Sequence, residues 1–287
     1  MKRWTVGVAV LTAFALAALW AAGPPSREDC SVRPLLQSSV FVKAGPSSGS
    51  GVLVRNGAAT FVWTVAHVVV AGREVRRDDD GNADVVYKDV AVAQNVYANG
   101  RHVGDSVRYA KVIRCSDFTH GGEDLALLLV YEGAGFGGRG VAFDPAVGEP
   151  GDPVWLVSSL FGKPGHNTLS DGVFSTAGRL AWPGGFGPLA VDPKVLDQVS
   201  VPCHEGSSGG GVFRKKDGRC LGLVMGLLNE RGASGTLIVP ARRIAEYAAR
   251  ASCRWAFDAS SPPPPALLQG RHDGGPLTDR PVPAEDE

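Results

Sequence analysis

The sequence has no surplus of charge of either sign: across 287 residues, Lys and Arg number 29 and Asp and Glu number 29. Without a basic excess, nucleic acid and acidic membrane surfaces are poor partners. Cysteine is scarce, at five residues, and no two cysteines have the close spacing of a zinc site. No metal or cofactor is therefore expected. No internal repeat recurs at a fixed period. What the chain has in quantity is glycine (38), which with proline (20) makes about a fifth of the residues, below the level of a low-complexity chain. That composition suits many short strands joined by turns, and the length suits one large domain or two small ones.

The two ends differ from the middle. Trp4 to Ala22 carries no charge, follows Lys2 and Arg3 and is dominated by Ala, Val and Leu, which is the layout of a secretory signal. Residues 1–22 are read either as a signal peptide cleaved near Ala21-Ala22-Gly23 or as a retained membrane anchor, since about nineteen apolar residues just reach across a bilayer. The protein is thus expected to be exported, with a periplasmic, extracellular or membrane-anchored location. Residues 23–38 read as a linker. Residues 256–287, Pro-rich and charged from Ser260 on, read as a disordered tail. Cys30, Cys115, Cys203, Cys220 and Cys253 all follow the signal and would meet an oxidising compartment. One or two disulfides are expected, and the odd number leaves at least one free thiol.

Between Ser39 and Val239 the apolar residues fall in short runs rich in Val and Leu, separated by Gly, Asn and Asp, the pattern of an all-β barrel or sandwich. The runs predict strands over 41–44, 51–55, 60–65, 85–96, 107–114, 125–130, 153–158, 171–175, 199–202, 210–214, 220–228 and 235–239. Asn99-Gly100 between two such runs marks a hairpin turn, where both central positions need positive φ. One helix is expected, from Ala241 to Ala251 after Pro240.

Three motifs follow one another along this strand-rich region. Trp63-Thr64-Val65-Ala66-His67 ends a strand pair that begins at Gly49-Ser50-Gly51. Glu123-Asp124 opens the very apolar strand Leu125-Ala126-Leu127-Leu128, and Glu205-Gly206-Ser207-Ser208-Gly209-Gly210-Gly211 sets a serine among glycines just before another strand. A serine hydroxyl is a weak nucleophile until a neutral imidazole takes its proton, and a carboxylate can hold that imidazole in one tautomer. His67, Asp124 and Ser208 are the residue types this chemistry needs, with Asp117 and Glu123 as rivals for the acid. The glycines let the backbone turn sharply, so that the amides of Gly206 and Ser208 can point at one oxygen. His102, His120, His166, His204 and His272 receive no role, although His204 lies close enough to the serine loop to line a pocket.

Over roughly residues 40–252 these motifs, in this order and spacing, resemble a trypsin-like serine protease of the chymotrypsin fold, closer to the bacterial HtrA/Deg type than to digestive enzymes. The resemblance implies an all-β fold of two six-stranded antiparallel Greek-key barrels with a C-terminal helix. The protease domain would span 39–255, with barrels at about 39–146 and 147–240 and the helix at 241–252. It implies a serine endopeptidase that hydrolyses peptide bonds through an acyl-enzyme, with catalytic His67, Asp124 and Ser208, an oxyanion hole at Gly206 and Ser208, and protein or peptide substrates. By the same analogy Val201, Cys203, Glu205, Val224, Met225 and Gly226 would line the substrate site, and their largely apolar character suggests aliphatic or aromatic side chains. Ser207 stands where digestive relatives have an aspartate that pairs with a freed N-terminus, and no Ile-Val-Gly-Gly start exists, so zymogen cleavage is not expected. Only 32 residues follow Trp255, too few for the PDZ domain of HtrA proteins. Cys203 and Cys220 are candidates for a disulfide across the adjoining hairpin. The alternative function is a catalytically inactive, protease-like peptide-binding module.

Overall fold

The structure, a computed structural model, describes residues 31–77, 83–99, 101–116, 122–131, 136–164, 167–181, 194–230 and 233–269. The expected signal or anchor over 1–22, Cys30, Gly100, Asp117, His120, His166, His272 and the end of the tail lie outside the described residues. Among the described residues, no helix is long and apolar enough to cross a membrane.

The chain enters through helix α1 (Val32–Ser38), whose Leu35 is buried, and continues into β1 (Ser39–Ala44), β2 (Ser47–Asn56) and β3 (Ala59–Thr64). The one-turn helix α2 (Ala66–Val69) follows, then β4 (Arg73–Arg77), β5 (Ala83–Tyr87), β6 (Val90–Ala98), β7 (Arg101–Ser116) and β8 (Leu125–Val130). The second half comprises β9 (Pro153–Ser159), β10 (Asn167–Ala181), β11 (Lys194–Val199), β12 (Gly211–Arg214), β13 (Cys220–Glu230), β14 (Ala233–Pro240), α3 (Ala241–Arg250) and α4 (Pro265–Gln269).

Two closed barrels result, in the orders β1-β2-β3-β8-β7-β6 and β9-β10-β11-β14-β13-β12, with every barrel pairing antiparallel. Counted within each barrel, both run 1-2-3-6-5-4, so the same Greek key occurs twice although no sequence repeat announces it. The all-β, two-barrel expectation holds, as does the terminal helix. Closure gives every strand of each barrel a partner on both sides. Strand β8, Leu-Ala-Leu-Leu-Leu-Val, between β3 and β7, is buried at every position rather than alternating, so both of its faces are covered.

Strands β7 and β10 run longer than expected, and the sequence reading differs from the structure in three further respects. The single strand expected over 85–96 is two: the Lys88 amide donates to the Gly72 carbonyl (3.0 Å), and β5 leaves the barrel to pair with β4. β4, Arg-Glu-Val-Arg-Arg, is largely exposed and has no apolar alternation to betray it. The strand expected over 199–202 lies upstream, at β11, because the Pro202 nitrogen has no hydrogen to contribute to a ladder.

The two ends are corrected where they are described. The expected linker is structured from Val32, with the Ser39 hydroxyl donating to the Leu35 carbonyl (3.0 Å). The expected disordered tail is docked as far as Gln269. Trp255, Ala256 and Phe257 are buried, and Trp255 packs on Phe61 with ring centroids 4.8 Å apart. Phe257 stacks on Phe143 at 5.0 Å, the Trp63 indole donates to the Ala256 carbonyl (2.7 Å), and Leu267 and Leu268 pack on the same core. A few isolated anchors hold this segment, so it shows no period for a sequence reading to find.

Helix α3 ties the barrels together. Its Ile244, Tyr247 and Ala248 are buried, at the spacing of one helical face. Adjacent arginines then reach in different directions: Arg242 pairs with Asp197 of the second barrel (2.5 Å), and Arg243 with Glu123 at the mouth of β8 in the first. Replacing Trp255 with alanine removes a large buried ring that joins the C-terminal segment to β3. The expected cost is about 3 kcal/mol, read as a lower midpoint in thermal or denaturant unfolding. A loss well under about 1 kcal/mol would mean that the segment contributes little to holding the fold together.

Candidate active site

His67 is the second residue of α2, directly after β3, and Asp124 immediately precedes β8, which pairs with β3. Neighbouring strands of one barrel therefore carry both. The Asp124 carboxylate is 1% exposed and uses both oxygens on one residue. Its Oδ1 accepts from the His67 backbone N–H (2.9 Å), and its Oδ2 lies 2.8 Å from His67 Nδ1. An ionised carboxylate can only accept, so Nδ1 carries the ring proton and Nε2 is left as the basic nitrogen of the neutral ring. Asp124 reaches this position with φ of 54°, in the left-handed region that aspartate tolerates better than most residues. The His67 side chain is 33% exposed, so the ring borders solvent while its partner is sealed.

The rival acids are separated from His67. Glu123 is held by Arg243 and by Arg250 (3.1 Å), both from α3, and its amide donates to the Ser116 hydroxyl (2.8 Å). Asp117 lies outside the described residues.

Ser208 comes from the other barrel, on the loop before β12. Two consecutive turns shape that loop. In the first, the Ser207 amide donates to the His204 carbonyl (2.9 Å) with Gly206 third at φ 87°. In the second, the Gly210 amide donates to the Ser207 carbonyl (2.8 Å) with Gly209 third at φ 83°. Positive φ at the third position alone defines type II turns, which is why glycine stands there. Close approach demands glycine as well. A Cβ on Gly206 would lie 2.4 Å from the Gly162 nitrogen, and one on Gly209 would lie 2.1 Å from the Ser50 carbonyl oxygen.

The orientation of the Gly206 amide follows from its peptide plane. The Glu205 carbonyl accepts from the Phe161 N–H (2.8 Å), and in a trans peptide the N–H of the next residue points the opposite way. Among the described residues, the Gly206 and Ser208 amides donate to no protein acceptor.

The junction between the barrels is Gly49. A Cβ there would meet Val68 Cγ2, one residue after His67, at 2.6 Å and the Ser208 carbonyl oxygen at 2.8 Å. Helix α2 and the Ser208 loop thus both press on this glycine, which brings the histidine and serine segments together. The Ser50 amide donates to that same Ser208 carbonyl (2.7 Å).

The six residues expected at a substrate site are divided by the structure. Val201, Cys203 and Val224 belong to the apolar cluster inside the second barrel, each at most 5% exposed, and this corrects their reading as lining side chains. Glu205 is exposed, and Met225 and Gly226 are half-exposed at a bulge in β13, followed by exposed Leu227. His204 stacks on Phe161, whose ring is exposed and whose φ is 57°. Sequence reading missed the Phe161-Gly162 turn entirely, because nothing in the local sequence ties it to a loop more than forty residues on. Nothing local in Gly49-Ser50-Gly51 signals that Ser50 touches the Ser208 loop.

Among the described residues no two cysteines form a disulfide with one another, and Cys203, Cys220 and Cys253 are buried thiols. The expected Cys203–Cys220 pairing is corrected. Cys203 sits in the second barrel's interior cluster, while Cys220 belongs to the larger core and donates its thiol hydrogen to the Gly222 carbonyl (3.4 Å).

The family model of the trypsin-like peptidase domain matches residues 49–223. Among curated proteins, none matches this sequence. Among solved structures, the Rv3671c protease in an inactive form superposes with a TM-score of 0.54 at 21% identity, covering 76% of this chain and 91% of that one. A serine-to-alanine mutant of Rv3671c from M. tuberculosis H37Rv, also an inactive form, gives 0.55 at 21%, covering 84% and 97%. The serine endoprotease from Yersinia pestis gives 0.53 at 19%, covering 81% and 68%. At such identities the likeness concerns the fold, and it agrees with the two barrels described above.

Burial raises the thiol pKa of Cys203 and pushes that of Cys220 up to about 12, so little thiolate exists at neutral pH. Iodoacetamide followed by peptide mass mapping is expected to leave Cys203 and Cys220 unlabelled in the native protein and to label both in guanidinium. A mass shift matching a Cys203–Cys220 cross-link would contradict the structure.

Proposed function

We propose, from the premise that this chain belongs to the trypsin-like peptidase domain family and so is a serine-protease-type hydrolase of proteins or peptides, that it is an endopeptidase working through His67, Asp124 and Ser208. The observation that carries this reading is the double grip of Asp124 on His67, amide and ring together, at the place where the Ser208 loop docks. A carboxylate that only balanced charge would not need both oxygens on the same histidine.

The chemistry follows from the geometry. Ser208 Oγ attacks the scissile carbonyl carbon while His67 Nε2 takes its proton, and Asp124 stabilises the imidazolium without itself becoming protonated. The carbonyl π electrons move onto oxygen, where the Gly206 and Ser208 amides, held unclaimed by the two turns, donate to the developing charge. Collapse of the tetrahedral species breaks the C–N bond, and His67 gives its proton to the departing amine. Water then attacks the acyl-enzyme with His67 again as base, which releases the acid and restores Ser208. Substrate backbone would run along β13 near Met225 and Gly226, beyond the last residue that pairs with β12, and exposed Leu227 beside them suits apolar residues of the substrate.

The alternative, a peptide-binding module with a collapsed oxyanion loop, is disfavoured by the anchored Glu205 carbonyl. In a collapsed loop that carbonyl would occupy the place of the oxyanion instead of bonding Phe161. We also propose export, on the charge-flanked apolar run Trp4 to Ala22.

Hydrolysis of casein and labelling by a fluorophosphonate probe are both expected, and both should vanish in Ser208→Ala. Asp124→Asn should keep the fold and lower kcat about 10⁴-fold, because the ring is then held in the wrong tautomer. A wild-type protein that neither cleaves casein nor takes the probe at Ser208 would sink this reading and favour the binding module.

A further inference from the structure

Ser50 has more bonds to the nucleophile loop than any role of a β-strand residue requires. It sits in β2 between Gly49 and Gly51, and a Cβ on either glycine would collide with Val68 or Val62 at 2.6 or 2.5 Å. Ser50 therefore supplies the one side chain of this triplet, and that side chain is fully buried. Its hydroxyl faces the Ser159 N–H (2.8 Å) and the Gly206 carbonyl (2.7 Å). An N–H can only donate, so the hydroxyl accepts from Ser159 and must direct its single hydrogen at Gly206 O. The rotor has one satisfactory setting. Its amide meanwhile donates to the Ser208 carbonyl (2.7 Å), and its carbonyl accepts from the Thr64 hydroxyl (2.7 Å).

Together with the Phe161 N–H on Glu205 O, these bonds pin three carbonyls of the loop: those of Glu205, Gly206 and Ser208. Pinning the carbonyls on either side of Gly206 Cα leaves its N–H a single direction, away from Phe161. The loop's own residue at this point, Ser207, is neutral; its Oγ accepts from the His204 amide and the Ser158 hydroxyl (both 3.1 Å). No charged group takes part in any of these contacts.

We propose that Ser50 is the positioning residue of the oxyanion hole: a hydroxyl from the first barrel holds the Gly206 amide of the second in its donating orientation, and does so with neutral groups. This rests on the serine-peptidase reading above. The brace acts through Gly206 and never touches substrate. It has no ionisable partner, so its loss lowers the rate of acylation without moving the pH at which His67 becomes competent.

The test compares wild type, Ser50→Ala and Ser50→Cys, which retains a weak donor of similar size. Phe143→Leu serves as a control that loosens the distant stack on Phe257. Using one fluorogenic peptide derived from casein cleavage and a fluorophosphonate probe, Ser50→Ala is expected to lose roughly 10- to 100-fold in kcat, somewhat less than removal of an oxyanion donor itself. The phosphonylation rate should fall in parallel, with KM within about twofold and the midpoint of the pH profile unchanged. Ser50→Cys should fall between, and Phe143→Leu should lower the unfolding midpoint while kcat and labelling stay at the wild-type level. Wild-type kcat and labelling rate in Ser50→Ala overturn the proposal. So does a rise in KM alone, or a loss that Phe143→Leu reproduces at equal destabilisation. If Ser50→Ala fails to fold, Ser50→Cys decides by the same criteria. A wild-type chain without Ser208-dependent activity is a different outcome, since it removes the peptidase reading rather than the brace.

Discussion

The site between the two barrels depends on a close approach of Gly49 and Ser50 of the first barrel to residues 206–209 of the second. The approach is close enough that side chains are excluded from both sides, at Gly49 and at Gly209. Backbone amides and carbonyls can then bond across the gap. Once that contact is made, His67, just after β3, and Asp124, just before β8, lie on the side of the first barrel that meets the serine loop. The geometry of the candidate site is thus a consequence of barrel packing, and a shift of an ångström between the barrels would separate the His67–Asp124 pair of the first from the Ser208 loop of the second.

Elsewhere the molecule resists such a shift. Helix α3 places consecutive arginines on Asp197 and Glu123, one carboxylate in each barrel, and the segment after it lays Trp255 and Phe257 over the first barrel. Asp197 is 2% exposed, and it also accepts from the Gly178 amide, so its charge is matched on two sides. Glu123 neighbours Asp124, whose left-handed backbone costs on the order of 1 kcal/mol. Holding the preceding residue to α3 keeps that strained conformation from relaxing away from His67.

Much of this was legible in the residues. The twelve apolar runs match the twelve barrel strands because closed antiparallel barrels need short strands of this kind, and only the runs at 85–96 and 199–202 are misplaced. His67, Asp124 and Ser208 stood out because each lies at a strand end beside a recognisable pattern. What could not be read shares one property, dependence on a partner far along the chain. The docked segment 256–269 has a few anchors and no period. In the β4–β5 pair, β4 is largely exposed and carries no apolar alternation to read. Val201, Cys203 and Val224 looked like pocket residues by position, yet their side chains turn inward to fill the second barrel.

The linear order of residues by itself determined that the chain would make a dozen short strands in this order, and that a histidine, an acid and a serine set among glycines would sit next to strands. Hydrophobic spacing and glycine's access to positive φ are local properties and survive in one dimension. Only the tertiary structure decided which acid meets His67, which carbonyls the Ser50 amide and hydroxyl hold, and which way the Gly206 amide points. Each is a contact between residues about 45 to 160 positions apart, set by how two barrels twist and pack. Direction in space, unlike pattern along the chain, exists only once both partners are folded.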